Sequence, residues 1–125
     1  MSNFKFKNSF PFSNRLDESQ RVMEKYSDRV PIICEKNTSC RDAPNIDKTK
    51  YLVPRDLTIG QFMYVIRKRI KLGPEKGLFL FINEKILPSS LCINEIYHSE
   101  KDIDGFLYIS YATENTFGNI NSTFE

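Results

Sequence analysis

Residues 50–71 read KYLVPRDLTIGQFMYVIRKRIK, with Lys50 first and Lys71 last. The stretch divides into an apolar strand over 50–54, a Pro-Arg-Asp turn and an amphipathic helix over 58–72. Thr58 and Gln61 have capping-box spacing, so each side chain can satisfy a backbone N–H left free at the helix start. Ile59, Phe62, Met63, Ile66 and Ile70 recur on one helical face. Arg67, Lys68, Arg69 and Lys71 crowd the C-terminal turn, where the helix dipole favours cations. Gly73-Pro74 then stops the helix. A strand, a tight turn and a helix with a basic end describe a docking surface, and none of these residues is catalytic.

The rest of the chain arranges itself around that unit. Residues 4–26 read as helical, with Phe12, Leu16 and Met23 as an apolar stripe broken at Ser19. Val30-Pro31-Ile32-Ile33-Cys34 reads as a strand; Pro31 pushes Val30 to extended geometry and belongs at a strand start or edge. Residues 37–47, NTSCRDAPNID, form a turn-rich loop that returns the chain to a hairpin partner at 50–54. Leu78-Phe79-Leu80-Phe81-Ile82 is a continuous apolar run suited to a strand covered on both faces. Asn83-Glu84-Lys85 turns the chain, Ser90 caps a short helix through Tyr97, and residues 106–111 form the last strand. Helix, then β-β-α-β-α-β, is an α+β order. The expected architecture is a ubiquitin-like β-grasp: a four-stranded mixed sheet wrapping one long helix, with additional N-terminal helices.

Composition narrows the function classes. The chain has 125 residues, 40% hydrophobic, with 10 Phe and 6 Tyr, enough for one packed core. No window approaches 18 apolar residues, and the N-terminus MSNFKFKNSF lacks the apolar core of a secretory signal. Cys34, Cys40 and Cys92 are odd in number and show no CxxC spacing, so neither a zinc site nor a disulfide framework is expected. Two N-x-[ST] sequons, at Asn37 and Asn121, read as chance matches in a cytosolic protein. Net charge is +2, unevenly spread: residues 1–71 hold 15 cations against 8 carboxylates, residues 72–125 hold 3 against 8. The N-terminal half therefore favours acidic partners. Nucleic acid is not one of them, because no recognition motif accompanies the charge. His98 is the single histidine, with no Cys partner and orienting group to make a dyad. No enzyme, cofactor or metal site is expected.

Several segments together carry a resemblance. Asp28-Arg29-Val30-Pro31, Lys50-Tyr51-Leu52-Val53-Pro54, Leu57-Thr58-Ile59-Gly60-Gln61-Phe62, Ile66-Arg67-Lys68-Arg69-Ile70, Asp104-Gly105-Phe106-Leu107-Tyr108 and Phe117-Gly118 resemble the autophagy-related ubiquitin-like modifiers, the family of GABARAP and the microtubule-associated protein light chain. The likeness spans about residues 4–118, with one extra residue in the 37–47 loop. It implies an organisation of 1–26 as a helical extension, 27–112 as the ubiquitin-like core, 113–118 as a conjugation tail and 119–125 as a propeptide.

On its own Gly118 reads as a turn glycine near a frayed terminus. The resemblance implies more. A cysteine protease would cut after Gly118, with Phe117 as its hydrophobic handle, and remove NINSTFE. The exposed carboxylate would be activated by an E1-like enzyme, carried as thioesters to E2-like and E3-like enzymes, and joined to phosphatidylethanolamine, anchoring the protein on autophagosomal membrane. Glycine suits such chemistry, since without a Cβ it threads a narrow active site and leaves its carbonyl open to attack.

The resemblance also implies a groove for the short acidic motifs, aromatic-x-x-aliphatic, of cargo receptors and adaptors. Its first pocket would comprise Glu18, Val22, Pro31, Ile33, Lys50, Leu52 and Phe106. The second would comprise Tyr51, Val53, Pro54, Leu57, Phe62 and Val65, with Arg29 and Arg69 meeting the acidic flanks. Read without the family, the second set is ordinary β-grasp core and the cations are a solvated face. Tyr51 and Lys50, flanking apolar residues on an alternating strand, are expected to leave apolar area exposed. The alternative function is a permanently soluble β-grasp adaptor for acidic peptides or cytoskeletal proteins; a protein-directed modifier is a third. The chain departs from the family pattern at Thr49, in a run often fully basic, at Val22 and Val65, smaller than usual, at Ile103, where an acid is common, and in seven residues beyond Gly118. Phe4, Lys5, Phe6 and Lys7 alternate aromatic and basic residues, a pattern compatible with an anionic bilayer.

Overall fold

The computed structural model describes residues 3–114. Nine elements follow in the order α1 (Lys5–Ser9), α2 (Phe12–Lys25), β1 (Arg29–Lys36), β2 (Lys50–Pro54), α3 (Ile59–Arg69), β3 (Phe79–Ile82), β4 (Lys85–Ile86), α4 (Ile93–Glu100) and β5 (Leu107–Ala112). The strands form one mixed sheet in the order β2-β1-β5-β3-β4, in which β1 and β5 run parallel and the other pairs antiparallel. The β-grasp expectation is met, with five strands instead of four. The fifth is β4, two residues long and too short to carry a periodic signal.

Helix α3 forms as its sequence dictates. The Thr58 side chain accepts from Gln61 N, and the Gln61 side chain accepts from Thr58 N. Ile59, Phe62 and Ile66 are fully buried against the inner face of the sheet. Burial of each such side chain contributes about 1.5–3 kcal/mol, so this face dominates the helix's stability. The C-terminus closes differently from expectation. Lys71, not Gly73, takes the left-handed position (φ 57), while Leu72 N donates to Arg67 O and Lys71 N to Lys68 O. That bond pair is a Schellman closure with lysine where glycine is usual.

The outer face of the sheet is covered by the N-terminal helices. They are two, not one: Phe10 is extended and Pro11 caps α2. Pro11 has no N–H to continue a helix, and its ring disfavours helical geometry at Phe10. Helix α1 is held by Glu35, whose carboxylate oxygens accept from Lys5 N (2.8 Å) and Phe6 N (3.0 Å). Phe6 packs with Ile33 and Phe106 into a small second core, separate from the main one beneath α3. Strand β1 therefore sends Val30, Ile32 and Cys34 inward and Ile33 outward, into two different apolar clusters.

Asn83 and Glu84 link β3 to β4 with φ of 50 and 69. Two positive values make this a type I′ turn, where glycine is preferred at the second position. Replacing Glu84 by glycine should raise unfolding stability by about 0.5–1 kcal/mol, since a left-handed residue bearing a Cβ is strained. Urea titration of both proteins checks it; no gain would mean the turn is unstrained.

Candidate functional site

Strand β2 pairs with β1 on one side only and so lies at the sheet's edge. Cys34 N donates to Thr49 O and Arg55 N to Asp28 O, which sets the hydrogen-bonded register. Two-residue alternation then points the backbone N–H groups of Lys50 and Leu52 away from β1, toward the open edge. The Leu52 carbonyl is met there by Arg29 Nη1 at 3.4 Å, an exposed and replaceable contact.

Side-chain direction splits the two expected pockets across the two faces of the sheet. Pro31 lies opposite Leu52 and Ile33 opposite Lys50, so these four share the outer face. Phe106 adjoins Ile33 in the same cluster. Helix α2 supplies the opposite wall: Lys50 Nζ reaches Glu18 Oε2 at 2.8 Å, and Val22, half-buried, lies one helical turn beyond Glu18. Glu18, Lys50, Ile33, Phe106, Pro31 and Leu52 are thus linked on the outer face beside α2, with Pro31, Ile33 and Phe106 buried and Val22 one turn along the helix. Phe6 belongs with them, although its sequence neighbourhood did not single it out for this place. Its ring is 5.1 Å from that of Phe106, and Lys50 Nζ stands 5.8 Å above it. A separate hollow of about 500 Å³ lies on the other side of Phe6, lined by Lys5, Phe6, Phe10, Lys36, Ile46 and Thr49.

The second set is arranged otherwise. Tyr51 and Val53 point inward and are only 7% exposed, and Phe62 is fully buried. The Tyr51 and Phe62 rings meet edge to face at 5.5 Å, and the Tyr51 hydroxyl donates to Lys48 O. Apolar area does stay accessible along this edge, at Leu52 and Val65, but Tyr51 itself is buried. Burial also pushes its hydroxyl pKa up, keeping the donor protonated. What remains accessible is Pro54, Leu57 and Val65, the last 39% exposed, standing on a floor made by the other three. Arg55 braces this corner by donating to Ser27 O and Asn94 Oδ1.

Cations rim the edge, and each is already engaged. Lys50 pairs with Glu18, Arg69 with Asp47 at 2.8 Å, and Arg29 rests on Leu52 O. Exposed pairs of this kind contribute about 0–1 kcal/mol, so an incoming carboxylate can replace the internal partner at little cost. The edge as a whole offers two backbone N–H donors, the accessible apolar side chains Leu52, Pro54, Leu57 and Val65, and exchangeable cations. It is equipped to hold an extended acidic peptide as an added strand.

Nothing among the described residues suggests bond-breaking chemistry. The Cys34 thiol is raised well above its ordinary range by burial. His98 stacks its ring edge-on to Tyr97 at 6.1 Å, and no group of three metal-ligating side chains comes together. Phe117 and Gly118, expected to carry processing and conjugation, lie outside the described residues.

Comparison with known proteins decides the family. The family model described as "Autophagy protein Atg8 ubiquitin like" matches residues 14–118, most of the chain. The chain belongs to the Atg8 family. Autophagy-related protein 8 of Coccidioides immitis is 56% identical over 115 residues, covering 92% of this chain and 97% of that one. The Neurospora crassa protein of the same name is 55% identical over 118 residues, covering 94% and 97%. The crystal structure of Trypanosoma brucei ATG8 superposes with a TM-score of 0.87 at 46% identity, covering 94% of this chain and all of that one. The protein is thus a ubiquitin-like member of the autophagy machinery, and the resemblance read from the sequence segments is the right one. Among the described residues no helix is long and apolar enough to cross a membrane.

The split between floor and rim is measurable. Tyr51→Ala should cost about 3 kcal/mol of unfolding free energy, as loss of a buried aromatic does. Leu52→Ala, on the half-open outer face, should cost less than half of that. Equal losses in denaturant titrations would mean that the two side chains are equally buried.

Proposed function

We propose that this Atg8-family chain is a precursor cut after Gly118 and joined through that residue to phosphatidylethanolamine. On the membrane, the open edge of β2 then recruits receptors and adaptors that carry acidic aromatic-x-x-aliphatic motifs. Hydrolysis of the bond between Gly118 and Asn119 frees a carboxylate. Activation and thioester transfer keep that acyl group reactive. Attack by the headgroup amine forms the amide and releases the carrier thiol. The observation that carries the conjugation reading is where the family match stops: it ends on Gly118 and leaves residues 119–125 beyond it.

The recruitment reading rests on the edge strand. An extended peptide running beside β2 meets the Lys50 and Leu52 amides. It sets an aromatic side chain toward Ile33, Leu52 and Phe106 and an aliphatic one toward Pro54, Leu57 and Val65. Its acidic flank draws Lys50, Arg29 or Arg69 from their internal partners. The working compartments on this reading are the cytoplasm and, once lipidated, the autophagosomal membrane, with the protease and the E1-, E2- and E3-like enzymes as transient partners.

Intact-mass analysis of the protein from membrane and soluble fractions of starved cells should find a membrane form ending at Gly118 with one phospholipid added, and Gly118→Ala should abolish it. A Gly118→Ala protein that still floats with vesicles would reject conjugation at this residue. For the groove, Leu52→Ala should weaken an acidic Trp-x-x-Leu peptide by about 1–2 kcal/mol in calorimetry, the scale of an interface anchor; unchanged affinity would reject it.

A further inference from the structure

Helix α2 forms the wall of the first pocket; besides the Glu18–Lys50 pair and Met23, which packs on the main core, it is held at one small buried knot. Two side chains on successive turns of α2, Arg15 and Ser19, face inward and are buried. Both engage the turn 102–105, which leads into Phe106. The Asp104 carboxylate is fully buried: Arg15 Nη1 and the Tyr108 hydroxyl both donate to its Oδ2, and Phe106 N donates to its Oδ1 at 2.9 Å. Ser19 Oγ bridges Asp104 O (2.5 Å) and Leu16 O (3.0 Å) as a shared donor. Gly105 stands directly beneath Ser19 with φ of 88. A Cβ built on Gly105 would lie 2.9 Å from the Ser19 Cβ and closer still to its hydroxyl. The Ser19 side chain therefore rests directly on the Gly105 backbone, with no room for a side chain at 105.

The turn itself cannot easily retreat. Gly105 O accepts from the Tyr97 hydroxyl at 2.6 Å, Gly105 N donates to Asp102 O at 2.9 Å, and Asp102 N donates to Phe106 O at 2.8 Å. Asp102 is in turn paired with Lys7; burial raises its carboxyl pKa, but the Lys7 ammonium and the Asp104 N–H outweigh that and hold it below the ordinary aspartate value. Anything that thickens the Ser19–Gly105 contact must consequently move α2.

Glu18 adjoins Ser19 in sequence, and Val22 follows one turn later; both are wall residues of the first pocket. Phe106, in its floor, adjoins Gly105. The Ser19–Gly105 contact is thus the buried point at which wall and floor meet, beside the more exposed Glu18–Lys50 pair. Resting on the peptide-docking reading above, we infer that Ser19 and Gly105 are positioning residues that fix the width of the first pocket, so that it closes on the flat aromatic ring of an acidic peptide. The aliphatic pocket is built from other elements, β2, α3 and the 54–57 turn, and meets the knot's surroundings through Arg55, which reaches Met23 and the Tyr97 ring; its response should therefore be the smaller one.

Calorimetry of the full-length chain with three synthetic peptides separates this role from a merely structural one. The parent is an acidic Trp-x-x-Leu peptide; the others replace the Trp or the Leu by Ala. Gly105→Ala should weaken the parent about tenfold, a typical anchor loss. The Trp-to-Ala peptide should bind Gly105→Ala and the unaltered chain nearly alike, and the penalty for losing the Leu should be close to the same in both. Should Gly105→Ala fail to fold, Ser19→Ala, which deletes the bridging hydroxyl without adding bulk, should show a smaller loss with the same aromatic selectivity. Equal weakening of all three peptides, or affinity for the parent unchanged within about twofold, overturns the inference. Failure of the unaltered chain to bind the parent peptide would instead reject the docking reading, and the inference with it.

Discussion

Hydrogen bonding along β2 is satisfied on one side only, and most of the molecule can be understood as holding that half-finished strand in place. Strand β1 supplies its one partner and is itself locked by parallel pairing with β5 at the centre of the sheet. Helix α3 anchors β2 from beneath through Tyr51, Val53 and Phe62. Helix α2 stands over the outer face and contributes Glu18 to Lys50. An exposed edge is normally an aggregation hazard that proteins blunt with charge and proline. Here Lys50 and Pro54 bound a strand of five residues, which is short enough to resist self-pairing and long enough for a peptide.

The two faces of β2 divide the labour between folding and recognition. Side chains that a family comparison would group as a single pocket turn out to be a buried floor and a half-open rim. Tyr51, Val53 and Phe62 contribute mainly to the core, so their influence on any partner passes through the shape of the floor. Leu52, Pro54, Leu57 and Val65 remain in reach of one. The rim cations work in the same economical way: internal partners keep them oriented, and weak surface pairing leaves them exchangeable.

Local signals carried much of this architecture. The Thr58–Gln61 capping box, the Ile59–Phe62–Ile66 face and the apolar runs near 30–34, 78–82 and 106–111 each predicted their element, because propensity, periodicity and burial agree there. Other features were hidden for physical reasons. Pro11 divides the N-terminal helix, which the apolar positions Phe12, Leu16 and Met23 could not reveal, since α2 turns Arg15 and Ser19 inward instead. A buried ion pair leaves no hydrophobic trace; its partners are 89 residues apart and meet only in the fold. Whether Tyr51 points in or out depends on strand register, and a shift of one residue would reverse it. Strand β4 has two residues and exists because the Asn83–Glu84 turn folds it onto β3. That Glu18, Ile33, Lys50 and Phe106 come together on the outer face was suggested only by the family resemblance, and the packing of Phe6 against Phe106 shows only in the fold.

If β2 is the docking edge, the amide protons of Lys50 and Leu52 should exchange freely with solvent in the free protein, whereas that of Tyr51, bonded to β1, should not. Hydrogen exchange followed by NMR, with and without a saturating acidic aromatic-x-x-aliphatic peptide, tests this directly. The account predicts strong new protection at Lys50 and Leu52 when the peptide is bound. A peptide that binds tightly yet leaves both amides exchanging as before would contradict it.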